Sequence, residues 1–183
     1  MSFSVYLSGE IHTDWREEIK NGAEAAGLDI EFTAPVTDHP ASDAAGDHLG
    51  ENDSSFWRDH QSSKVNAIRT RTLIEKADMV VVRFGDKYKQ WNAAFDAGYC
   101  AALGTPYVTL HDADIIHPLK EVDAEAKAWC QTTDQVVETL KYILGGLRVL
   151  VQQWTGLRLP ARAADQLGLR PGSRIRGPFA ACG

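Results

Sequence analysis

The sequence predicts an α/β domain: a doubly wound, flavodoxin- or Rossmann-like parallel sheet of four to five strands with helices on both faces. Two observations predict it. Short apolar runs alternate with longer amphipathic stretches in the order βαβ(loop)αβαβ…α. The clearest run, ADMVVVRFGD (77–86), is almost continuously apolar, as a strand covered on both faces of a parallel sheet is.

Each element follows from local pattern. FSVYL (3–7) is a short buried-strand run that ends at Ser8-Gly9. A helix comes next, with Asp14 as a candidate cap, Glu17 three residues on, and Trp15, Ile19 and Ala23 on one face. Gly27 stops it, and LDIEFTAP (28–35) is a second strand closed by Pro35. Residues 36–55 are polar and without period, a long loop of the kind that serves as a lid or stays disordered. Phe56 to Ala77 is helical, with Val65, Ile68, Thr72 and Ile74 expected toward the core and Arg69 and Arg71 near its end. After the 77–86 strand, the stretch from Trp91 forms a helix ended by Gly104-Thr105-Pro106, and TPYVTL (105–110) is a fourth strand. HDADIIHPL (111–119) reads as a solvated loop. A last helix is expected from about Asp134 to Leu144, with Val136, Val137, Leu140 and Ile143 aligned.

Composition narrows the function classes. Of 19 basic and 25 acidic residues, six arginines but only one acid, Asp165, lie from Gly145 onward. The first 144 residues therefore form an acidic body, which argues against nucleic-acid binding. Residues 1–144 are expected to be one domain, and 145–183 an Arg- and Gly-rich extension, poorly ordered, in which VLVQQW is one more strand or half-helix. No apolar run is long enough to span a membrane, and the N-terminal residues carry no basic leader, so a cytoplasmic protein is expected. Cys100, Cys130 and Cys182 are far apart, with no CxxC, and read as reduced thiols.

The familiar catalytic fingerprints are missing: there is no GxGxxG after the first strand, no GxxxxGK[ST], no GxSxG and no HExxH. The Asp and His residues of the long loop (His39, His48, His60 with Asp38, Asp43, Asp47, Asp53) match no standard ligand spacing, so neither a metal nor another cofactor is expected. What remains is polar and aromatic residues at the carboxyl ends of strands, where open α/β sheets bind ligands. Tyr6, Ser8, Gly9 and Glu10 close the first strand. Asp86, Tyr88, Trp91, Asn92 and Asp96 surround the crossover after the third. Asp96 lies one turn into a helix among Ala, Phe, Gly and Tyr, pointing back toward the helix opening. A carboxylate among such neighbours has a raised pKa unless the dipole or a donor opposes it, and can act as nucleophile at a sugar carbon or as an acid–base group. Arg69 and Arg71 are candidate anion contacts.

VYLSGEIHTDWREEI, the TDH of the long loop, SSKVNAIRTRTLIEKADMVVVRFGDKYKQWNAAFDAGYCAALGTP and HPLKE resemble the YtoQ family, grouped with the nucleoside 2-deoxyribosyltransferases, over about residues 3–144. In that superfamily a YLAGP-like turn after the first strand binds the nucleoside. A later Glu-Leu-Gly-Tyr-Ala…Gly-Lys-Pro motif supplies a glutamate that attacks the anomeric carbon. Here Tyr6, Leu7, Ser8 and Gly9 match the turn, with Glu10 in place of Pro. DAGYCAALGTP (96–106) matches the later motif, with Asp96 in place of Glu, one methylene shorter. KQWNAA replaces the superfamily's DxGT segment, so its acid is missing and Asp86 or Asp78 is expected to substitute, Asp86 being the better placed, beyond the strand end.

The resemblance thus implies N-glycosidic bond cleavage or transfer on a nucleoside or 5′-nucleotide, with Asp96 as nucleophile and Asp86 as the acid that protonates the leaving base. Tyr6, Gly9 and Glu10 would hold the sugar, with Ser8 also a substrate contact, Tyr88, Trp91 and Asn92 would line the base site, and Arg69 would meet a 5′-phosphate. It also implies a homodimer. The alternative from a different class is a non-catalytic nucleotide or nucleotide-sugar binding module on the same fold.

Overall fold

Five parallel strands form one sheet in the order β2-β1-β3-β4-β5: β1 Phe3–Gly9, β2 Ile30–Thr33, β3 Met79–Arg83, β4 Tyr107–Leu110 and β5 Ala128–Cys130. The computed structural model describes residues 2–86 and 90–155, with 146–155 as backbone only. Tyr88 and residues 156–183 lie outside the described residues. The helices are α1 Trp15–Ala25, α2 His39–Asp43, α3 Ser55–Lys76, α4 Trp91–Leu103, α5 Ile116–Glu125 and α6 Thr133–Thr155. The chain divides into two units, Ser2–Val137 and one that takes in Glu138 onward. The sheet and the site belong to the first; the described part of the second is the remainder of α6, where Lys141 and Glu138 pair at 2.7 Å.

The expected fold class is the observed one. β1 and β3 lie side by side because β1 leads outward to β2 while β2 crosses back over it to β3, and right-handed crossovers then put α1 on one face and α3 and α4 on the other. The reversal between β1 and β3 leaves a crevice at their carboxyl ends, the usual place for a ligand in such sheets. On the α3–α4 face, Tyr6, Val80, Val82 and Tyr107 pack with Ile74 of α3 and with Ala93, Ala97 and Cys100 of α4. The small residues of α4 let that helix lie close on the sheet. Trp15, Ile19 and Ala23 of α1 are buried, as their spacing predicts.

Three local expectations are corrected. The 111–119 stretch is no solvated loop: a short 3-10 turn (Ala113–Ile115) leads into α5, and β5 follows. His111 is fully buried there, stacked on Trp129, with Nε2 3.1 Å from the Asp123 carboxylate and Nδ1 2.8 Å from the Asp112 carbonyl. Asp112, Asp114 and His117 are exposed. The partner that buries His111 lies twelve residues downstream, beyond any local signal. The last helix does not stop at Leu144 but runs through Gly145-Gly146 to Thr155, because glycine lowers helix propensity by only about 1 kcal/mol per residue and does not forbid the conformation. In α3, Ile68 (70 % exposed) and Thr72 point outward. The helix turns a largely polar stripe inward instead, and this stripe holds the long loop.

That loop is ordered by α3. Arg58 forks onto Asp47 at 2.8 and 2.6 Å, Gln61 donates to the Gly46 carbonyl at 2.9 Å, and the buried Ser62 hydroxyl donates to the Asp43 carbonyl at 2.6 Å. Asn66 donates to the Ser42 carbonyl at 3.0 Å and Arg69 to the Ala34 carbonyl at 2.7 Å. Positions 58, 62, 66 and 69 fall on one helical face. Ser62, Asn66 and Arg69 satisfy backbone carbonyls that no sheet or long helix reaches, while Arg58 holds the Asp47 side chain. Within the loop, α2 is capped by Asp38, whose carboxylate accepts from the Ala41 N–H at 3.4 Å.

Candidate active site

The strapped loop, α3, the end of β1 and the start of α4 enclose a cavity of about 1060 Å³ at the β1–β3 crevice. Tyr6, Gly9, Glu10, Arg69, Trp91, Asn92 and Asp96 all line it, together with His12, His39, Asn66 and Thr70. The volume is ample for a nucleoside-sized ligand.

The end of β1 is shaped by close backbone approach. Gly9 has φ +102, and a Cβ there would lie 2.1 Å from the Arg83 carbonyl oxygen of β3. A Cβ on Gly85 would lie 2.5 Å from Glu10 Cγ. Both positions therefore exclude a side chain. The Glu10 carboxylate is occupied locally, accepting from the His12 N–H and from the Thr13 hydroxyl at 2.6 Å. Beneath the turn lies Arg16, buried at 5 % exposure, whose guanidinium donates to three carbonyls: Leu7 at 3.0 Å, Glu10 at 2.5 Å and Gly9 at 2.9 Å. Burial pushes its pKa down to about 10, opposed by Tyr6 and Glu10.

Asp96 stands on the second turn of α4, half-buried. The Ser8 hydroxyl donates to its Oδ2 at 2.5 Å. Burial raises the Asp96 pKa above the ordinary carboxylate range, and the Ser8 hydrogen bond opposes that rise. Tyr6 is fully buried, and among the described residues its hydroxyl has no hydrogen-bond partner, with Thr70 the nearby polar group. Burial pushes its phenol up to about 12; Asp96 adds to this, while Thr70, Arg69 and Arg16 oppose it. Burial likewise pushes the Cys100 thiol, one turn along α4, up to about 12, with Asp96 adding to it. A half-buried carboxylate thus lines a roomy cavity beside a buried phenol. Among the described residues, no group of three or more His, Cys, Asp or Glu side chains is placed to hold a metal ion, and no helix is long and apolar enough to cross a membrane.

The model of the family "Nucleoside 2-deoxyribosyltransferase YtoQ" matches residues 6–144. The chain belongs to this family. A YtoQ protein of Bacillus subtilis (strain 168), described as uncharacterized, is 41% identical over 144 residues, covering 78% of this chain and 97% of that protein. Among solved structures, a conserved protein from Enterococcus faecalis V583 superposes with a TM-score of 0.53 at 14% identity, covering 78% of this chain and 99% of that one; the likeness is one of fold. A 2-deoxyribosyltransferase from Bacillus psychrosaccharolyticus, at TM-score 0.45 and 15% identity over 75% of this chain and 95% of that one, is too loosely similar to bear on the site.

Of the residues expected from sequence, Tyr6, Gly9, Glu10, Arg69, Trp91, Asn92 and Asp96 come together at the cavity, and Ser8 lies directly behind Asp96. Trp91 is 73 % exposed. Asp86 is exposed beyond β3 and stands outside the cavity lining. Tyr88 is outside the described residues. Sequence reasoning missed Arg16, the brace under the turn, and the α3 residues Asn66 and Thr70. Arg16 had a legible signal: a cation in the first turn of a helix opposes the dipole and so calls for buried acceptors elsewhere.

Proposed function

We propose that the chain cleaves or transfers the N-glycosidic bond of a nucleoside or 5′-nucleotide, with Asp96 as nucleophile. The observation that carries this reading is the half-buried Asp96 carboxylate, which lines a cavity at the sheet's crevice with ample room for a nucleoside. Family membership supports it.

In the proposed reaction one Asp96 oxygen attacks the anomeric carbon, a C–O bond forms, and the C–N bond breaks with its electron pair leaving on the base. The leaving base takes up one proton. Attack by water or an acceptor base at the same carbon then breaks the ester and returns the carboxylate, and the proton the attacker loses restores the group that protonated the leaving base. His12 and His39 line the cavity and are placed to hand the proton over, whereas Asp86 does so only if it is brought in from its exposed position. Tyr6 and Gly9 face the sugar, Trp91 and Asn92 the base. Arg69 reaches a 5′-phosphate with the guanidinium nitrogens not engaged by Ala34. The proposal keeps the homodimer that the resemblance implies.

The test is base release from a panel of ribo- and deoxy-nucleosides and 5′-nucleotides, with and without an acceptor base. Release from at least one substrate, lost in Asp96→Asn while binding persists, is expected. Unchanged release in Asp96→Asn refutes the assignment. One feature favours the second reading, a binding module without turnover: burial biases Asp96 toward its neutral form, a poor nucleophile. A ligand-induced thermal shift with no base released over hours is the result that reading predicts.

A further inference from the structure

Ser8 follows Tyr6 by two residues and so lies on the same face of β1. It is fully buried and is not part of the cavity lining. Its one hydroxyl proton goes to Asp96 Oδ2 at 2.5 Å. A residue so placed reaches the cavity only through Asp96. The contact ties the carboxylate on α4 to the central strand, and it engages one oxygen and leaves Oδ1 as the other.

We infer that Ser8 is a positioning residue rather than a substrate contact: it holds Asp96 by Oδ2 and presents Oδ1 to the cavity. The inference rests on the reading of Asp96 as nucleophile. The physical need is clear. A carboxylate on a helix has two rotatable bonds, and a misplacement of about 1 Å costs about 10²-fold in rate. Burial favours the neutral acid, and a hydrogen bond donated to the charged form opposes it. The other titratable groups nearby are Tyr6 on β1 and Cys100 on α4, both of which feel the Asp96 charge. Arg69 on α3 and Arg16 on α1 act on Tyr6. Of these groups and Ser8, only Ser8 hydrogen-bonds to Asp96.

The test uses the full chain labelled with ¹³C-carboxyl aspartate, in wild type and Ser8→Ala, with Asp96→Asn assigning the resonance. The Asp96 titration midpoint is expected to rise by about 1 pH unit in Ser8→Ala, the size of one hydrogen bond to a charged group. In the base-release assay kcat falls about 10- to 100-fold, KM stays within about twofold, and the acid limb of the pH profile moves up with the resonance. An unchanged midpoint overturns the inference, as does a rise in KM with kcat intact, which would return Ser8 to substrate binding. If wild type releases no base from any substrate, the glycosidic reading fails, while the titration still decides whether Ser8 governs Asp96.

Discussion

Arg16 offers the sharpest test of how the site is held. It sits in the first turn of α1, where the helix dipole disfavours a cation, and burial disfavours its charge further. Against these stand three hydrogen bonds to carbonyls of the β1 turn, at 3.0, 2.5 and 2.9 Å, and a guanidinium 4.5 Å from the centroid of the Trp15 ring. Arg16→Met keeps most of the apolar stem and removes all the donors. The Glu10 carbonyl keeps the Trp15 indole N–H at 2.8 Å, while the Leu7 and Gly9 carbonyls lose this donor, at about 1–3 kcal/mol each. Release of the buried charge and of its conflict with the dipole returns part of that, leaving a net loss of about 3 kcal/mol. For a domain stable by about 5–15 kcal/mol this is a large fraction, yet the chain should still fold. Arg16→Lys retains the charge but not the fork, so it recovers only part of the loss. Urea unfolding followed by tryptophan fluorescence measures both variants, compared by midpoint at a common slope. A loss under about 1 kcal/mol in Arg16→Met, or a lysine variant as stable as wild type, would refute the reasoning.

Asp96→Asn should raise the melting temperature at pH 7. The folded-state pKa of Asp96 is raised, so its charged form is penalised above that pKa, and the benefit of the neutral amide fades as pH falls through the raised value toward 3.8. A lower melting temperature for Asp96→Asn at neutral pH would contradict this. Asp123→Ala removes the acceptor of both the His111 ring, at 3.1 Å, and the Thr109 hydroxyl, at 2.7 Å, and should cost about 3 kcal/mol in the same urea assay. A cost near zero would show that water replaces the carboxylate. If the homodimer is correct, the 20.1 kDa chain sediments at about twice that mass, and a single species at monomer mass ends that part of the proposal.

Much of the fold was legible because its cues are local. VVV in β3, the Trp15–Ile19–Ala23 face and the Gly104-Thr105-Pro106 stop each depend on residues within a turn or two of one another. The missed elements depend on distant partners. β5 is only three residues, Ala128–Cys130, and gains its strand conformation by pairing with β4. α3 is legible as a helix, but not its inward face: the inward stripe meets a loop and a cavity, not the sheet, and so is polar, while Ile68 points outward. The candidate site was legible as far as strand ends reveal it, which brought Tyr6, Gly9, Glu10 and Asp96 forward together. Asp86 was chosen because it follows a strand, and strand ends alone do not tell which residues turn into the crevice.

By itself the sequence determined the alternation of strands and helices, the parallel sheet and the family, since these rest on composition, period and motif. Only the tertiary structure decided that the Ser8 hydroxyl donates to Asp96, that Arg16 braces the turn from below, and that Arg58, Ser62 and Asn66 hold the long polar segment beside the cavity. Each of those contacts is a directional hydrogen bond. Its worth depends on distance, angle and the exclusion of water, and for Ser8 and Asp96 it joins residues 88 positions apart in the chain.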